Sequence, residues 1–185
     1  MKKSNQIKLV LRAAFFVSLL KPVNHIAKAD TPTTFDIEVD PLAYAFQGYS
    51  GHLGLSGRLG RLDLGAFGAK IPNAFLKNSS FSAQFRGIGI KWDKQPVTLN
   101  GLFYGIETSI AKLTYTHIST NSKMTRTEKT IGGRIGFRFE QSGFTVSPWV
   151  GIGYNADSKP IIVNGDEFKN SPWVVFPTVH IGWIF

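Results

Sequence analysis

From Thr33 onward, hydrophobic and polar positions alternate with a period of two, the mark of strands that divide two environments between their faces. Eight alternating segments are separated by turn chemistry. They are Thr34–Asp40, Tyr49–Gly57, Arg61–Lys70, Phe85–Trp92, Leu102–His117, Lys129–Glu140, Phe144–Asn155 and Pro172–Phe185. The first is short unless it runs on through Pro41 to Phe46. Short links (Arg58–Gly60, Asp93–Asn100 and Gln141–Gly143) alternate with longer ones (Ile71–Ala83, Ile118–Arg126 and Ala156–Asn170). That rhythm predicts an antiparallel up-and-down meander, trimmed at one end and elaborated at the other. No helical period of useful length follows residue 29.

The two strand faces differ in chemistry. In the last segment Trp173, Val175, Val179, Ile181, Trp183 and Phe185 share a face opposite Thr178, His180 and Gly182. In the sixth, Ile135, Phe137 and Phe139 oppose Arg134, Gly136 and Arg138; in the fifth, Leu102, Tyr104, Ile106 and Ile110 oppose Gly105, Glu107, Ser109 and Ala111. Glycine on a water-exposed strand face costs backbone entropy and packs nothing. Inside a narrow eight-stranded barrel it is a sensible filler between a few long polar side chains. The apolar face then points outward and needs hydrocarbon as its solvent, and closure removes the unpaired edges that lipid would not satisfy. The expected fold is all-β, an eight-stranded antiparallel transmembrane β-barrel. Pro148 and Pro177 fall inside strands, where each removes a ladder donor.

Composition sharpens this picture once the chain is divided. The 185 residues carry a formal charge of +9, but six of the 21 basic residues lie within residues 1–29, which hold no acid. That segment has a basic start, an apolar stretch Leu9–Leu20 and a small-x-small site Ala27-Lys28-Ala29, the layout of a cleavable signal peptide. The expected division is a signal peptide at 1–29 and a barrel domain at 30–185. The later residues sum to only +3, so the charge gives no reason to expect nucleic acid as a partner. All 19 glycines follow residue 29. The absence of cysteine excludes disulfides, thiolate metal sites and a lipid-anchoring Cys.

The chain ends Val179-His180-Ile181-Gly182-Trp183-Ile184-Phe185, and its alternation into a terminal Phe resembles the C-terminal signal of bacterial outer-membrane barrels at Val179, Ile181, Trp183 and Phe185. With the export signal and eight strands, residues 30–185 resemble the small barrels of the outer membrane protein A and X type. The resemblance implies location in a Gram-negative outer membrane, both termini in the periplasm and longer outer loops. It also implies outer-membrane lipids, lipopolysaccharide and the barrel assembly machinery as partners of a monomer without cofactor.

Two groups of lumen residues invite chemistry. Arg86 or Lys91 on the fourth strand, with Arg134 and Arg138 on the sixth, would flank Glu107 on the fifth and form a buried ion-pair cluster. Closure also brings the carboxylates Asp36, Glu38 and Asp40 beside His52 and His180, the raw material of acid–base catalysis or a metal site. Some outer-membrane barrels modify lipid A, so His52, His180 and Asp40 are the candidate catalytic residues of an enzymatic alternative. Ser50 and Ser56 flank His52, but the His-x-Ser arrangement expected of a deacylase is absent. The leading expectation is a structural or surface-interaction protein with no metal, and a small pore is a further alternative. Lys77, Lys123, Arg126, Lys159 and Lys169 in the longer links are candidates for contact with anionic lipopolysaccharide.

Overall fold

The computed structural model describes residues 33–76, 78–94, 100–169 and 171–185; the signal-peptide reading and Lys77 fall outside them. The wall consists of β1 (Thr34–Val39), β2 (Tyr49–Gly57), β3 (Gly60–Ile71), β4 (Phe81–Lys94), β5 (Gly101–His117), β6 (Lys123–Gln141), β7 (Phe144–Asn155) and, after a small hairpin, β10 (Trp173–Ile184). Every neighbouring pair is antiparallel, and β1 pairs with β10 to close the barrel. Closure completes the hydrogen-bonding of edge strands that would otherwise expose a row of amides.

Each ladder holds a single register. A row perpendicular to the strands runs from Trp183 through Ile37, Leu53, Leu64, Ile90, Thr108, Ile131 and Tyr154, and returns to β10 at Trp173, ten positions from its start. This stagger requires tilted strands. The β6–β7 ladder skips between Gly136↔Trp149 and Phe139↔Val146, beside Pro148, which has no N–H to contribute.

The alternation in the sequence becomes an inside and an outside. Odd positions of β4 and β5 and even positions of β6 and β10 point into the lumen, and the opposite parity points outward. Outward residues such as Leu64, Ile88, Ile106, Ile131 and Ile152 are each at least half exposed. Together they form an apolar wall far larger than the few hundred Å² a water-soluble monomer tolerates. On β5 the outward belt from Leu102 to Ile110 covers about 27 Å of strand at ~3.4 Å per residue. At a tilt near 40° that is about 21 Å along the axis, comparable with the ~25 Å apolar band of membrane barrels. Thr108 lies in this belt, and its hydroxyl donates to the Thr130 carbonyl 3.1 Å away, so its polar hydrogen is not left facing hydrocarbon.

The structure differs from the sequence expectation in three respects. Strand β4 starts at Phe81 rather than Phe85, and β6 at Lys123 rather than Lys129. Beyond the belt the outward face is polar too, so apolar alternation fades although the ladder Phe81↔His117 to Gln84↔Thr114 continues. Second, the first strand does not run on to Phe46. Asp40 caps a short helix α1 (Pro41–Ala45), its carboxylate accepting from the Leu42 amide at 2.8 Å, and Pro41 occupies the first turn where it needs no donor. Third, the long link before β10 contains the hairpin β8 (Ile161–Val163) and β9 (Asp166–Phe168). Asn164 and Gly165 both have positive φ, the Asn-Gly turn that suits a two-residue hairpin. Ile161, Val163 and Phe168 are buried against Phe81, Ala83 and Tyr115 at the long-link end.

Candidate functional site

The lumen at the short-turn end holds a charge network in which four cations face four carboxylates. Arg61 is its hub and has no exposed surface. Its Nε and Nη2 donate to Asp36 at 2.9 and 2.5 Å, Nη2 also to Glu38 at 3.1 Å, and Nη1 to Asp63 at 2.8 Å. Arg134 grips Asp93 through two bonds of 2.8 and 2.6 Å, the planar fork-to-carboxylate match that lysine does not reproduce. Its guanidinium also lies over Trp149, 4.6 Å from the ring centroid. Arg138 reaches from β6 across the lumen to Glu38 on β1 at 2.6 Å. Lys91 completes the set, 3.3 Å from Asp63 and 3.0 Å from His52 Nδ1.

Glycines make this density possible. A Cβ at Gly54 would strike the Asp36 carboxylate and the Arg61 guanidinium, one at Gly65 the His52 ring, and one at Gly182 the Glu38 side chain. The glycine excess in the sequence is thus partly space reserved for charged neighbours on adjacent strands.

The sequence-derived candidates are redistributed. Arg86 is not a lumen residue: it lies exposed on the outward face of β4, and Lys91, of opposite parity, points inward. Glu107 faces the lumen, half-buried near Gly151, but forms no ion pair among the described residues. Arg134 and Arg138 are answered instead by Asp93 and Glu38. The proposed grouping of His52, His180 and Asp40 does not assemble. The two rings meet with centroids 4.5 Å apart, but Asp63 is the partner of His52 at 2.9 Å and Glu38 that of His180 at 3.1 Å. Asp40 is committed to the α1 cap, and its amide donates to Ser50 Oγ at 3.1 Å. No serine is hydrogen-bonded to His52 or His180 among the described residues.

His52, Asp63 and His180 offer donor atoms within 4.8 Å of one another, a spacing that suits a metal. Yet the Lys91 ammonium already sits against the same His52 and Asp63 atoms, and His180 Nδ1 faces Glu38. A resident cation in the donor set favours internal ion pairing over metal binding. Asp63 and the Lys91–His52 contact could not be anticipated, because facing pairs across a lumen follow from register and closure rather than from chain spacing.

The residues named in the longer links also divide. Arg126 is ion-paired with Glu128 and donates to the Lys159 carbonyl, and Lys169 pairs loosely with Glu167 at 3.6 Å. Lys123 and Lys159 are exposed.

A closed barrel with an apolar exterior and an ionised interior inverts the plan of a water-soluble lipid carrier and has the architecture of transmembrane β-barrels. No family model and no curated protein matches the chain. Among solved structures the chain is similar to Neisserial surface protein A, with 12% identity and a TM-score of 0.47 over 83% of this chain and 96% of that one. It is equally similar to a major outer membrane protein from Thermus thermophilus, with 12% identity and a TM-score of 0.47 over 83% of this chain and 100% of that one.

Proposed function

We propose that the chain is an integral outer-membrane β-barrel whose role is structural or surface-interactive, exercised through its lipid-facing wall and its long-link end rather than by passing solute. The observation that carries this reading is the combination of an apolar exterior with a lumen occupied, at the short-turn end, by the Arg61 network. A conducting pathway would have to cross buried charges that are already paired with one another. Both ends of the described barrel meet at the short-turn side, where Phe35 and Phe185 exchange backbone hydrogen bonds of 3.4 and 2.7 Å. This supports an orientation with termini and short turns in the periplasm and the long links outside. The outward alternation of Val179, Ile181, Trp183 and Phe185 supports recognition of the last strand by the barrel assembly machinery.

The test is to express the full chain in a Gram-negative host, fractionate the envelope, and run boiled and unboiled samples on denaturing gels. Recovery in the outer membrane, heat-dependent migration and no stepwise conductance in planar bilayers are expected. A protein that stays soluble without detergent would overturn the membrane reading, and regular conductance steps would overturn the sealed lumen.

A further inference from the structure

On the outward face, the change from apolar to polar side chains marks where hydrocarbon gives way to headgroups. Along β4 the outward series runs Trp92, Ile90, Ile88 and then Arg86. Along β5 it runs Ile106, Thr108, Ile110 and then Lys112; along β6, Ile135, Gly133, Ile131 and then Lys129. The first charged residue above the belt is therefore basic on three consecutive strands.

The three are neighbours. Arg86 pairs in register with Lys112, and Lys129 pairs with Ile110, one outward step below Lys112. Tyr49, Arg86, Ile88, Ile110, Lys112 and Thr127 line a single shallow groove on this face. Gly68 stands between Tyr49 and Arg86 in the row, and a Cβ there would come within 3.0 Å of the Tyr49 ring. No carboxylate belongs to the patch: the outward positions above the belt on β3 to β6 are Gly, Lys, Gln, Ser, Arg and Thr. Among the described residues, neither Arg86, Lys112 nor Lys129 joins an ion pair. Elsewhere on the same boundary the outward residues are aromatic, with Tyr154 on β7 packed edge-on against Trp173 on β10 at 5.2 Å. Basic residues thus replace the aromatic girdle over one sector of the wall.

We propose that Arg86, Lys112 and Lys129 form a binding site for a polyphosphorylated glycolipid of the outer leaflet. The cations take its phosphates, Thr127 offers a hydroxyl, and Ile88 and Ile110 support its acyl chains. The proposal rests on the orientation argued above, which puts the long links outside. Three cations spread over two interstrand spacings, about 10 Å, suit a headgroup with separated phosphates better than a single phosphodiester. A basic side chain at an anionic membrane surface strengthens association roughly five-fold, so neutralising all three is expected to weaken binding on the order of a hundred-fold.

Native mass spectrometry of the detergent-solubilised full-length barrel, titrated with bisphosphorylated lipid A, reads this directly. The wild type should retain lipid A, and the R86Q/K112Q/K129Q variant should lose it. K94Q, on the same outward face of β4 at the short-turn end, should bind like wild type. Equal binding by wild type and triple variant, equal retention of dephosphorylated lipid A, or equal retention of phosphatidylglycerol would each overturn the proposal. Heat-dependent migration and vesicle insertion are scored on the same preparations. Loss of insertion in the wild type would defeat the membrane reading, whereas insertion without phosphate preference would defeat only this site.

Discussion

Replacing Arg61 with leucine tests whether the lumen is a dry, ion-paired plug. The substitution leaves the Asp36, Glu38 and Asp63 carboxylates, each 1% exposed or less, without their shared guanidinium. Breaking a buried pair by removing one partner costs about 3–5 kcal/mol, chiefly because the surviving charge has lost both water and its counterion. Three carboxylates share this partner, so the upper half of that range is expected for R61L. With a urea dependence of about 2 kcal/mol per molar, the unfolding midpoint should fall by about 2 M. Lysine restores the charge but not the forked contact with Asp36, so R61K should fall between leucine and wild type. The assay is urea titration of the barrel folded in lipid vesicles, with the folded fraction read from unboiled gels. Asp36→Asn in the R61L background should recover part of the loss, giving a non-zero coupling energy in the double-mutant cycle. An R61L midpoint within about 0.5 M of wild type would refute the reasoning, since it would mean that water already solvates these charges. K94Q, outward and exposed at the short-turn end, is the control and should stay within about 0.5 kcal/mol of wild type.

Three further outcomes follow from the same geometry. G65V drives a branched side chain into the His52 ring and should cost about 1–3 kcal/mol by overpacking, or abolish folding, in the same titration. Leu64 sits within the outward apolar belt, so L64R should cost about 2–4 kcal/mol, whereas Q84R, above the belt on β4, should cost about 0–1. F168A removes a ring buried against Phe81 and Tyr115, so limited proteolysis should cut the Ala156–Ser171 link faster while the barrel midpoint moves little.

The legibility of this protein tracks what a two-residue period can encode. Parity alone separates Ile135, Phe137 and Phe139 from Arg134, Gly136 and Arg138, and the structure preserves that division along β6. The strand count and the unequal links follow from turn residues, so the closed eight-stranded wall is readable from the chain alone. The strand ends are not, because apolar alternation is a signal about hydrocarbon and falls silent where β4 and β6 continue beyond it. The lumen contacts are hidden for a different reason. Arg138 and Glu38 are a hundred residues apart, and which carboxylate an arginine meets depends on the ten-residue stagger that accumulates around the barrel.

Arg86 shows how the two levels constrain each other. Placed in the lumen, it would have added a fifth cation to a network whose four cations and four carboxylates already match. Its parity with Gln84, Ile88 and Ile90 puts it outside, beside Lys112 and above an apolar belt, where its charge has no protein partner among the described residues. Within the Arg61 network each cation is already answered by a carboxylate of the same chain. An exterior row of cations does need counterions, and at the edge of a membrane the nearest are phosphates. Pairing within the Arg61 network thus leaves Arg86, Lys112 and Lys129 on the wall as cations outside every ion pair among the described residues. The lipid titration of the R86Q/K112Q/K129Q variant is for that reason more informative about function than any substitution among the histidines.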